Sequence, residues 1–316
     1  MRLALAGDTM LGRGVAERLS EMPASALVAP EVTEAFREAD VAVLNLECCI
    51  SERGARWPAP GKPFFFRAPP GAVDLLIHLG VRCVTLANNH ALDYGVDALL
   101  DTFAALDAAG IAWVGAGPDL ERARAPGTLQ VDGSQLAVFG ATDHPLDFAA
   151  TPDGPGVALL DHEQPGWLTD TVGTARADAV LVTPHWGPNM VEGPIPQVRR
   201  TAERLVAAGA TLVAGHSAHV FHGVAGRVLF DLGDFVDDYR VDPVLRNDLG
   251  ILALVELGPD GARRLEAVPL KLDFAYTRLA DGADARWIER RFSSACAQLG
   301  TSLETANGRL VVDLGD

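Results

Sequence analysis

The 316-residue sequence has few basic residues and few cysteines, and each shortage excludes a class of protein. It contains 26 Lys and Arg against 42 Asp and Glu, which gives a formal net charge of −16. Electrostatic capture of nucleic acid or of an anionic membrane face is therefore not expected. A bound divalent metal can reverse the field of a site locally, so an anionic small molecule or peptide remains a possible substrate.

Long apolar runs are also missing. No stretch approaches the ~20 uninterrupted apolar residues of a membrane-spanning helix, and Asp8 interrupts the N-terminal apolar segment too early for a signal peptide. We therefore expect a cytoplasmic protein without a membrane span. The four cysteines lack CxxC spacing and need no disulfide there. Cys83 is expected to be a small buried hydrophobe, while a reactive or ligating role for Cys48 and Cys49 stays open.

Short aliphatic runs alternate with helix-like segments over the first 250 residues. The runs are RLALAGD (2–8), VAVLNLE (41–47), RCVTLANNH (82–90), AWVGAG (112–117), QLAVFGATD (135–143), AVLVTPHWG (179–187), TLVAGHSAH (211–219) and RVLFDLGD (227–234). Segments such as GVDALLDTFAALDAAG place apolar residues three and four positions apart and end at glycine. Strands that are apolar on both faces and alternate with helices predict an α/β fold, in which helices cover the sheets.

The pattern changes after about residue 250. Two alternating strands joined by Gly-Pro-Asp-Gly predict an antiparallel hairpin, DARWIERRFSSACAQLG predicts a helix, and RLVVDL predicts a last strand. We expect residues 1–250 to form the main domain, with residues 251–316 packed on it.

Side chains that suit metal binding follow many of the predicted strands. Because ligands gather beyond the carboxyl ends of strands in such folds, we expect these side chains to share one pocket. They are Asp8, Asn45, Glu47, Asn88, Asn89, His90, Asp143, His144, His185, His216 and His219. Carboxylates, an amide and imidazoles from different strand ends are the ligand types of a two-metal hydrolytic site. Taken alone, His90 could simply begin a helix, and Asn88 or Asn89 could cap it.

Six motifs in one order carry a family resemblance. GDTMLGR, LNLE, ANNHALDYG, TPHWG, GHSAHV and LFDLGDF together resemble the CapA family of poly-γ-glutamate capsule-biosynthesis proteins, within the calcineurin-like metallophosphoesterase superfamily. The resemblance covers residues 1 to about 240. It implies a four-layer αββα sandwich, here followed by a C-terminal β-hairpin and helix, with a site for two divalent ions of Mn, Fe or Zn.

The resemblance also implies roles for individual residues. Asp8 looks like the acid of the first metal site and Glu47 like the carboxylate that bridges both ions. Asn89, His185 and His216 look like ligands of the second site, with His219 reaching the first. His90 looks like a general acid or a transition-state stabiliser, so Asp8 and His90 are the expected catalytic residues.

This chain departs from the family pattern at several positions. Met10 stands where many relatives of the wider superfamily have a histidine ligand, a substitution similar to that in other CapA-like proteins, and it is expected to weaken the first site. Ser217 and Ala218 replace the central pair of the family's Gly-His-His-Pro-His loop. Asp234 stands where the family tends to have Asn, and we expect it to support a ligand rather than to bind metal.

Four further residues are candidates for binding an anionic substrate. Arg13 follows the Asp8 turn near a helix start, and Lys62 and Arg67 flank three consecutive phenylalanines in a long loop. His222 stands close to the histidine loop. His144 and His162 are expected on solvated loops, with the alternative that His144, at a strand end beside Asp143, lines the pocket.

Three functions remain open from the sequence. The first is a metal-dependent hydrolase that activates water for attack on a phosphoester or on a γ-glutamyl amide or peptide. The second is a metal-stabilised scaffold or binding protein in polymer handling, and the third is an iron-dependent oxidoreductase. The sequence does not indicate the oligomeric state.

Overall fold

The computed structural model describes residues 1–258 and 260–315, so that Pro259 of the predicted hairpin turn and Asp316 of the C-terminal segment lie outside the described residues. The strands are β1 (Arg2–Thr9), β2 (Val41–Leu46), β3 (Cys49–Ile50), β4 (Arg67–Ala68), β5 (Val81–Thr85), β6 (Ala112–Val114), β7 (Ala116–Gly117), β8 (Gly127–Val131), β9 (Ser134–Thr142), β10 (Gly156–Val157), β11 (Ala179–His185), β12 (Leu212–Ala214), β13 (Val224–Ala225), β14 (Val228–Leu229), β15 (Asp234–Val236), β16 (Leu249–Gly258), β17 (Gly261–Asp273), β18 (Tyr276–Leu279), β19 (Glu304–Ala306) and β20 (Arg309–Asp313).

The α-helices are α1 (Arg13–Glu21), α2 (Pro30–Phe36), α3 (Val73–His78), α4 (Gly95–Ala108), α5 (Leu120–Arg124), α6 (Gly166–Thr174), α7 (Pro196–Ala208) and α8 (Gly282–Gln298). Short 3-10 helices cover Ala24–Leu27, Pro70–Ala72 and Leu146–Phe148.

Two large sheets form the centre of the molecule. The first has the order β19-β20-β17-β16-β1-β2-β5-β6, with β15 also paired to β1 and β18 to β17. The second has the order β13-β14-β12-β11-β9-β8. Strands β1, β2, β5 and β6 run parallel, as do β9, β11 and β12, so the carboxyl ends of each set meet at one edge of its sheet.

Alternation along the strands divides the core into layers. In β1, Leu3 and Leu5 belong to the apolar cluster between the two sheets, whereas Ala4 and Ala6 face the helices outside the first sheet. Leu181 of β11 enters the same central cluster, since successive side chains of a strand point to opposite faces.

Helices cover both outer faces. Helices α1 to α4 pack on the first sheet, and α6 and α7 pack on the second. In α4 the buried Leu99, Phe103 and Leu106 recur at helical spacing, and α7 ends at Gly209, whose φ of 115° lies in the left-handed region that favours glycine. The α/β four-layer arrangement expected from the sequence is thereby confirmed.

The C-terminal hairpin extends the first sheet. Strands β16 and β17 are antiparallel, and β16 pairs directly with β1, in the register Leu3 with Val255. The boundary expected at residue 250 therefore falls inside a strand of this sheet. The predicted helix is α8, whose Ile288 and Phe292 enter the cluster between the sheets.

Candidate metal centre

The centre begins where β1 ends, between two parallel neighbours. Asp8 is the register partner of Asn45 in β2 and of Asp234 in β15. A Cβ atom on Gly7 would lie 1.9 Å from the carbonyl oxygen of Gly233, so glycine permits this close approach of the two segments. The backbone N–H of Asp8 donates to the same carbonyl at 2.8 Å. Strand pairing therefore sets the carboxylates of Asp8 and Asp234 side by side.

Four buried residues bring their ligand-type atoms together. One such atom from each of Asp8, Glu47, His219 and Asp234 lies within 4.8 Å of the others. Nδ1 of His219 is 2.9 Å from Oδ1 of Asp234 and 3.4 Å from Oδ2 of Asp8. The four exposures run from 0% to 8%. Three carboxylates and an imidazole thus converge in a place that water reaches poorly.

The second sheet supplies two more histidines. His185 ends β11, and His216 forms an isolated parallel bridge with it just beyond β12. Nδ1 of His216 lies 3.1 Å from Oδ1 of Asp8, and Nε2 of His185 lies 3.5 Å from Oε1 of Glu47. Nε2 of His216 is 3.1 Å from the Thr183 hydroxyl, which leaves Nδ1 as the atom that faces the carboxylates. The carboxyl edges of both sheets therefore meet at one centre.

The loop from His216 to His219 is fixed by hydrogen bonds. Ser217 and His219 have φ angles of 109° and 59°. The backbone N–H of Ala218 donates to Asp231 at 2.8 Å, and the Ser217 hydroxyl donates to the Gly187 carbonyl at 3.0 Å. The Ser-Ala pair at the centre of the GHSAH motif is thus held on both sides, while His219 is directed toward Asp8.

Among the expected ligand residues and Asp234, several buried polar atoms have no hydrogen-bond partner anywhere in residues 1–258 and 260–315. They are Oε1 of Glu47, Oδ1 of Asn89, both ring nitrogens of His185, Nδ1 of His216 and Oδ2 of Asp234. Each such atom costs about 1–3 kcal/mol when it is buried and left unsatisfied. Carboxylate oxygen, amide oxygen and imidazole nitrogen are all ligands for Mn, Fe or Zn. The donor set therefore fits divalent cations.

The electrostatics favour a cation as well. Burial raises the pKa of Glu47, Asp231 and Asp234, and neighbouring carboxylates raise it further. Burial also opposes ionisation of Asp8, but the adjacent histidines more than offset it and hold the pKa of Asp8 below its ordinary value. Burial lowers the pKa of His185, which keeps its ring neutral and able to bind metal. A bound cation would relieve the repulsion among these carboxylates.

His90 lies beside the centre and is held by a residue that the sequence analysis did not identify. Its Nδ1 is 2.6 Å from Oδ2 of Asp93, and its Nε2 is 3.9 Å from Oε1 of Glu47. The ring stacks on Phe66, with centroids 3.9 Å apart. Burial lowers the pKa of His90 to about 4, against the opposing effect of Asp93. With Nδ1 bonded to Asp93, Nε2 is left to face the centre.

The two asparagines before His90 differ in their environments. Asn88 is fully buried and donates to Oδ1 of Asn45 and to the Leu46 carbonyl, each at 2.9 Å, while its own Oδ1 accepts from the His90 N–H. It is therefore a brace between strand ends. Oδ1 of Asn89 is buried and has no partner among the described residues, so Asn89 is the asparagine that remains available as a ligand.

Comparison with known proteins places the chain in a family. The sequence model described as "Bacterial capsule synthesis protein PGA_cap" matches residues 2–239, which is more than half of the chain. The chain belongs to the PGA_cap family. The resemblance drawn from the six motifs is confirmed.

Relatives of this PGA_cap chain span most of its length. A Mycobacterium tuberculosis protein named "Probable polyglutamine synthesis accessory protein" is 32% identical over 294 residues, covering 86% of this chain and 76% of the relative. The "PGA biosynthesis protein CapA" of Bacillus subtilis is 30% identical over 274 residues, covering 84% and 70%.

Solved structures give weaker matches. A hypothetical protein from Thermus thermophilus aligns with a TM-score of 0.46 and 18% identity, covering 88% of this chain and 96% of its own. A 5'-nucleotidase from Candida albicans aligns with a TM-score of 0.45 and 10% identity, covering 95% and 58%.

The residues expected to bind substrate have varied environments in the PGA_cap chain. Nζ of Lys62 lies 2.6 Å from Oδ1 of Asp93 and donates to the Asn89 carbonyl at 2.5 Å, so Lys62 supports the His90 side of the centre. The Arg67 guanidinium stacks 4.2 Å from the ring centroid of Tyr94.

Arg13 and His222 occupy different positions again. The Arg13 guanidinium is 3.2 Å from Asp238 and lies over the rings of Phe64 and Phe66, at 5.1 and 5.6 Å from their centroids. Because Phe66 stacks on His90, Arg13 is on the same side of the centre as His90. His222 is buried and its Nε2 donates to the Val191 carbonyl at 2.9 Å.

Met10, Cys48 and Cys49 are all buried. Met10 is fully buried, and its sulfur accepts from the Gly12 N–H at 3.1 Å. Cys48 is in the same apolar cluster as Met10. Burial raises the pKa of Cys48 well above its ordinary value and that of Cys49 to about 12. Both thiols are therefore protonated at neutral pH.

Asp143 organises a histidine pair near His185. Its Oδ2 lies 2.8 Å from Nε2 of His162 and accepts from the Gly187 N–H at 2.7 Å, and its Oδ1 pairs with His144. The expectation of solvated loops was wrong for His162, whose side chain is only 15% exposed. The His144 ring lies 5.3 Å from that of His185, between centroids. No sequence spacing indicated the contact of Asp143 with His162, which joins two loops.

None of the helices in residues 1–258 and 260–315 combines the length and the apolarity that a membrane crossing requires.

Proposed function

We propose that this protein is a metal-dependent hydrolase with two divalent ions. Asp8, Glu47, Asn89, His185, His216 and His219 would hold the ions, and Glu47 would be shared between them. The observation that carries the proposal is the set of buried ligand atoms from both sheets that lack hydrogen-bond partners within the described residues. When bound, such ions lower the pKa of a water molecule and stabilise negative charge on the oxygen of a phosphoryl or carbonyl group.

His90 is the proposed residue for proton transfer. Its Nδ1 proton is donated to Asp93, so proton exchange takes place at Nε2, the atom that faces Glu47. Asp93 is a positioning residue, because it fixes the tautomer and the orientation of the ring without facing the reacting group. Lys62 in turn compensates the buried charge of Asp93. Such positioned proton transfer contributes on the order of 10²–10⁴ in rate.

The proposed substrate is anionic and carries either a phosphoester or a γ-glutamyl amide. Arg13, whose side chain is 34% exposed, lies on the His90 side and is the residue best placed to contact an anionic group. Arg67 and His222 have internal partners and are proposed to shape the surroundings rather than to bind. The names of the relatives, which refer to PGA biosynthesis and polyglutamine synthesis, favour the amide.

Loading with one metal at a time tests the proposal. The purified chain, stripped of metal and reloaded with Mn²⁺, Fe²⁺ or Zn²⁺, is assayed on p-nitrophenyl phosphate and on γ-glutamyl p-nitroanilide. We expect turnover of one substrate class, lost with chelator and restored with metal. A chain that binds two ions and hydrolyses neither class would contradict a hydrolase.

A non-catalytic accessory role is the second candidate. The apolar packing of Met10, where many relatives of the wider superfamily have a ligand histidine, favours it, because the first ion then has one ligand fewer from the segment after β1. The oxidoreductase alternative gains nothing from Cys48 and Cys49, which are buried thiols rather than exposed thiolates.

A further inference from the structure

One carboxylate oxygen of Asp234 has no hydrogen-bond partner among the described residues. The residue is 1% exposed, and its Oδ1 lies 2.9 Å from Nδ1 of His219. No donor in the two described segments, 1–258 and 260–315, reaches its Oδ2. A carboxylate that served only to orient His219 would leave this oxygen buried and unsatisfied, which is costly.

Its two neighbouring acids are used differently. Asp231 accepts from the backbone N–H groups of Ala218 and Gly233, at 2.8 and 2.9 Å, so both of its oxygens are occupied by the loop. Asp237 accepts from the Tyr239 N–H at 2.8 Å through Oδ1, and its Oδ2, like that of Asp234, has no partner among the described residues. Of the three acids, Asp234 is the one that joins Asp8, Glu47 and His219 in the convergent group.

Two distances within the group match those between ligands of one ion. Nδ1 of His219 is 2.9 Å from Asp234 and 3.4 Å from Asp8. Two donors that are each bonded to one cation at about 2.0–2.2 Å stand roughly 3 to 3.5 Å apart. The pairing of β1 with β15 places Asp8 opposite Asp234, and this register accounts for the spacing.

We infer that Asp234 is a direct metal ligand and that it completes a carboxylate-rich site with Asp8, Glu47 and His219. The inference rests on the proposed two-metal function and replaces the supporting role expected for Asp234 from the sequence. The two ions would then have different ligands, because His185, His216 and Asn89 would bind the second ion. Carboxylates suit Mn²⁺ and Mg²⁺, whereas imidazoles suit Zn²⁺. The two sites therefore differ in metal preference.

Metal titration of matched variants tests the inference. Wild-type protein, Asp234→Asn and Asp234→Ala are stripped with chelator and titrated with Mn²⁺ and with Zn²⁺ by calorimetry, with the bound metal counted by mass spectrometry. Asp237→Asn is the control, because it removes the same charge three residues away, and circular dichroism of the metal-free proteins checks folding. We expect two ions in wild type and in the control. Both Asp234 variants should lose one ion or bind Mn²⁺ at least about tenfold more weakly while keeping a Zn²⁺ site.

The outcomes of this titration distinguish the ligand role of Asp234 from the proposed hydrolase function. Two ions bound with wild-type affinity in both Asp234 variants would overturn the ligand role and leave the hydrolase proposal standing. Loss of an ion in Asp237→Asn but not in Asp234→Asn would also overturn it, by assigning the role to the neighbour. Fewer than two ions in wild type would overturn both proposals.

A second measurement tests the ligand role of Asp234 even if the variants fail to fold. Wild-type crystals soaked in Mn²⁺ should show an anomalous peak about 2.2 Å from an oxygen of Asp234. A Mn²⁺ peak bonded to Asp8 and His219 but out of bonding distance of Asp234 would overturn the inference.

Discussion

Nδ1 of His90 lies 2.6 Å from Oδ2 of Asp93, three residues further along a buried turn. The contact joins a local feature of the sequence, the spacing His-Ala-Leu-Asp, to the centre formed by distant strand ends. It leaves Nε2 as the only ring atom that can exchange a proton with a group at that centre. Lys62 and the Phe66 N–H hold the Asp93 carboxylate in turn, so the orientation of the imidazole depends on the long loop between β3 and β4.

Replacing Asp93 with Asn should slow turnover while leaving metal binding intact. The change keeps the shape of the side chain but removes the charge that raises the pKa of His90 against burial. We expect kcat to fall by about 10- to 100-fold, with KM little changed and the limb of the pH profile that reports His90 moved to lower pH. Asp97→Asn, an exposed position in α4, is the control. An unchanged profile in Asp93→Asn would show that the contact does not position the catalytic ring.

Replacing His90 with Asn should lower kcat by about 10²–10⁴ without removing either ion. His90 contributes no ligand in our account, so the metal count should equal that of wild type. Because Asp93 acts through His90, the double variant with Asp93→Asn should be no slower than His90→Asn alone. Additive losses in the double variant, measured in the same assay, would contradict this dependence.

Lys62→Met should destabilise the fold more than it weakens substrate binding. The variant leaves the fully buried Asp93 carboxylate without its cation, and breaking a buried ion pair from one side costs about 3–5 kcal/mol. Urea unfolding should report this loss, and Asp93→Asn in the same chain should recover part of it. A large rise in KM at unchanged stability would instead support the substrate-binding role expected from the sequence.

Asp248 should stabilise the C-terminal hairpin in a pH-dependent way. Burial alone would raise the pKa of Asp248, but the Arg246 and Lys271 side chains outweigh it and hold the pKa below its ordinary value. A depressed pKa in the folded state means that the stabilisation is complete above about pH 5 and is lost as the pH falls through 4 and below.

The variant Asp248→Asn should therefore be less stable than wild type by about 1.5–3 kcal/mol at pH 7, with the difference shrinking at low pH. Urea unfolding at several pH values measures it, and Asp281→Asn, at an exposed carboxylate with 87% side-chain exposure, is the control. A difference that stays constant from pH 7 to pH 3 would contradict the assignment.

The layered fold could be predicted because strand and helix periods are local properties of the sequence. The runs beginning at residues 2, 41, 135 and 179 all became strands close to the predicted bounds. Since parallel strands end at one edge, the same runs placed Asp8, Glu47 and His185 near one another. The run at 227–234 became instead a two-residue strand, Val228–Leu229, because the chain turns at Gly233 to bring Asp234 beside Asp8.

The remaining contacts depend on pairing between distant segments. Asp234 joins the centre through a three-residue strand too short to show a period. The contact of Lys62 with Asp93 depends on how a long loop folds back, and that of Asp143 with His162 depends on two loops of the second sheet. Asp93 is the exception, because its position three residues after His90 is a local feature that the sequence shows directly.

The most direct test of the central claim is the metal content of Glu47→Ala. Glu47 is the fully buried carboxylate that lies near His90, His185 and Tyr239 and belongs to the four-residue group around Asp8. After loading with Mn²⁺ or Zn²⁺, mass spectrometry should count two ions per chain in wild type and in the exposed control Glu52→Ala. In Glu47→Ala we predict the loss of at least one ion together with the loss of hydrolysis. Two tightly bound ions in that variant would contradict a shared carboxylate and, with it, the proposed centre.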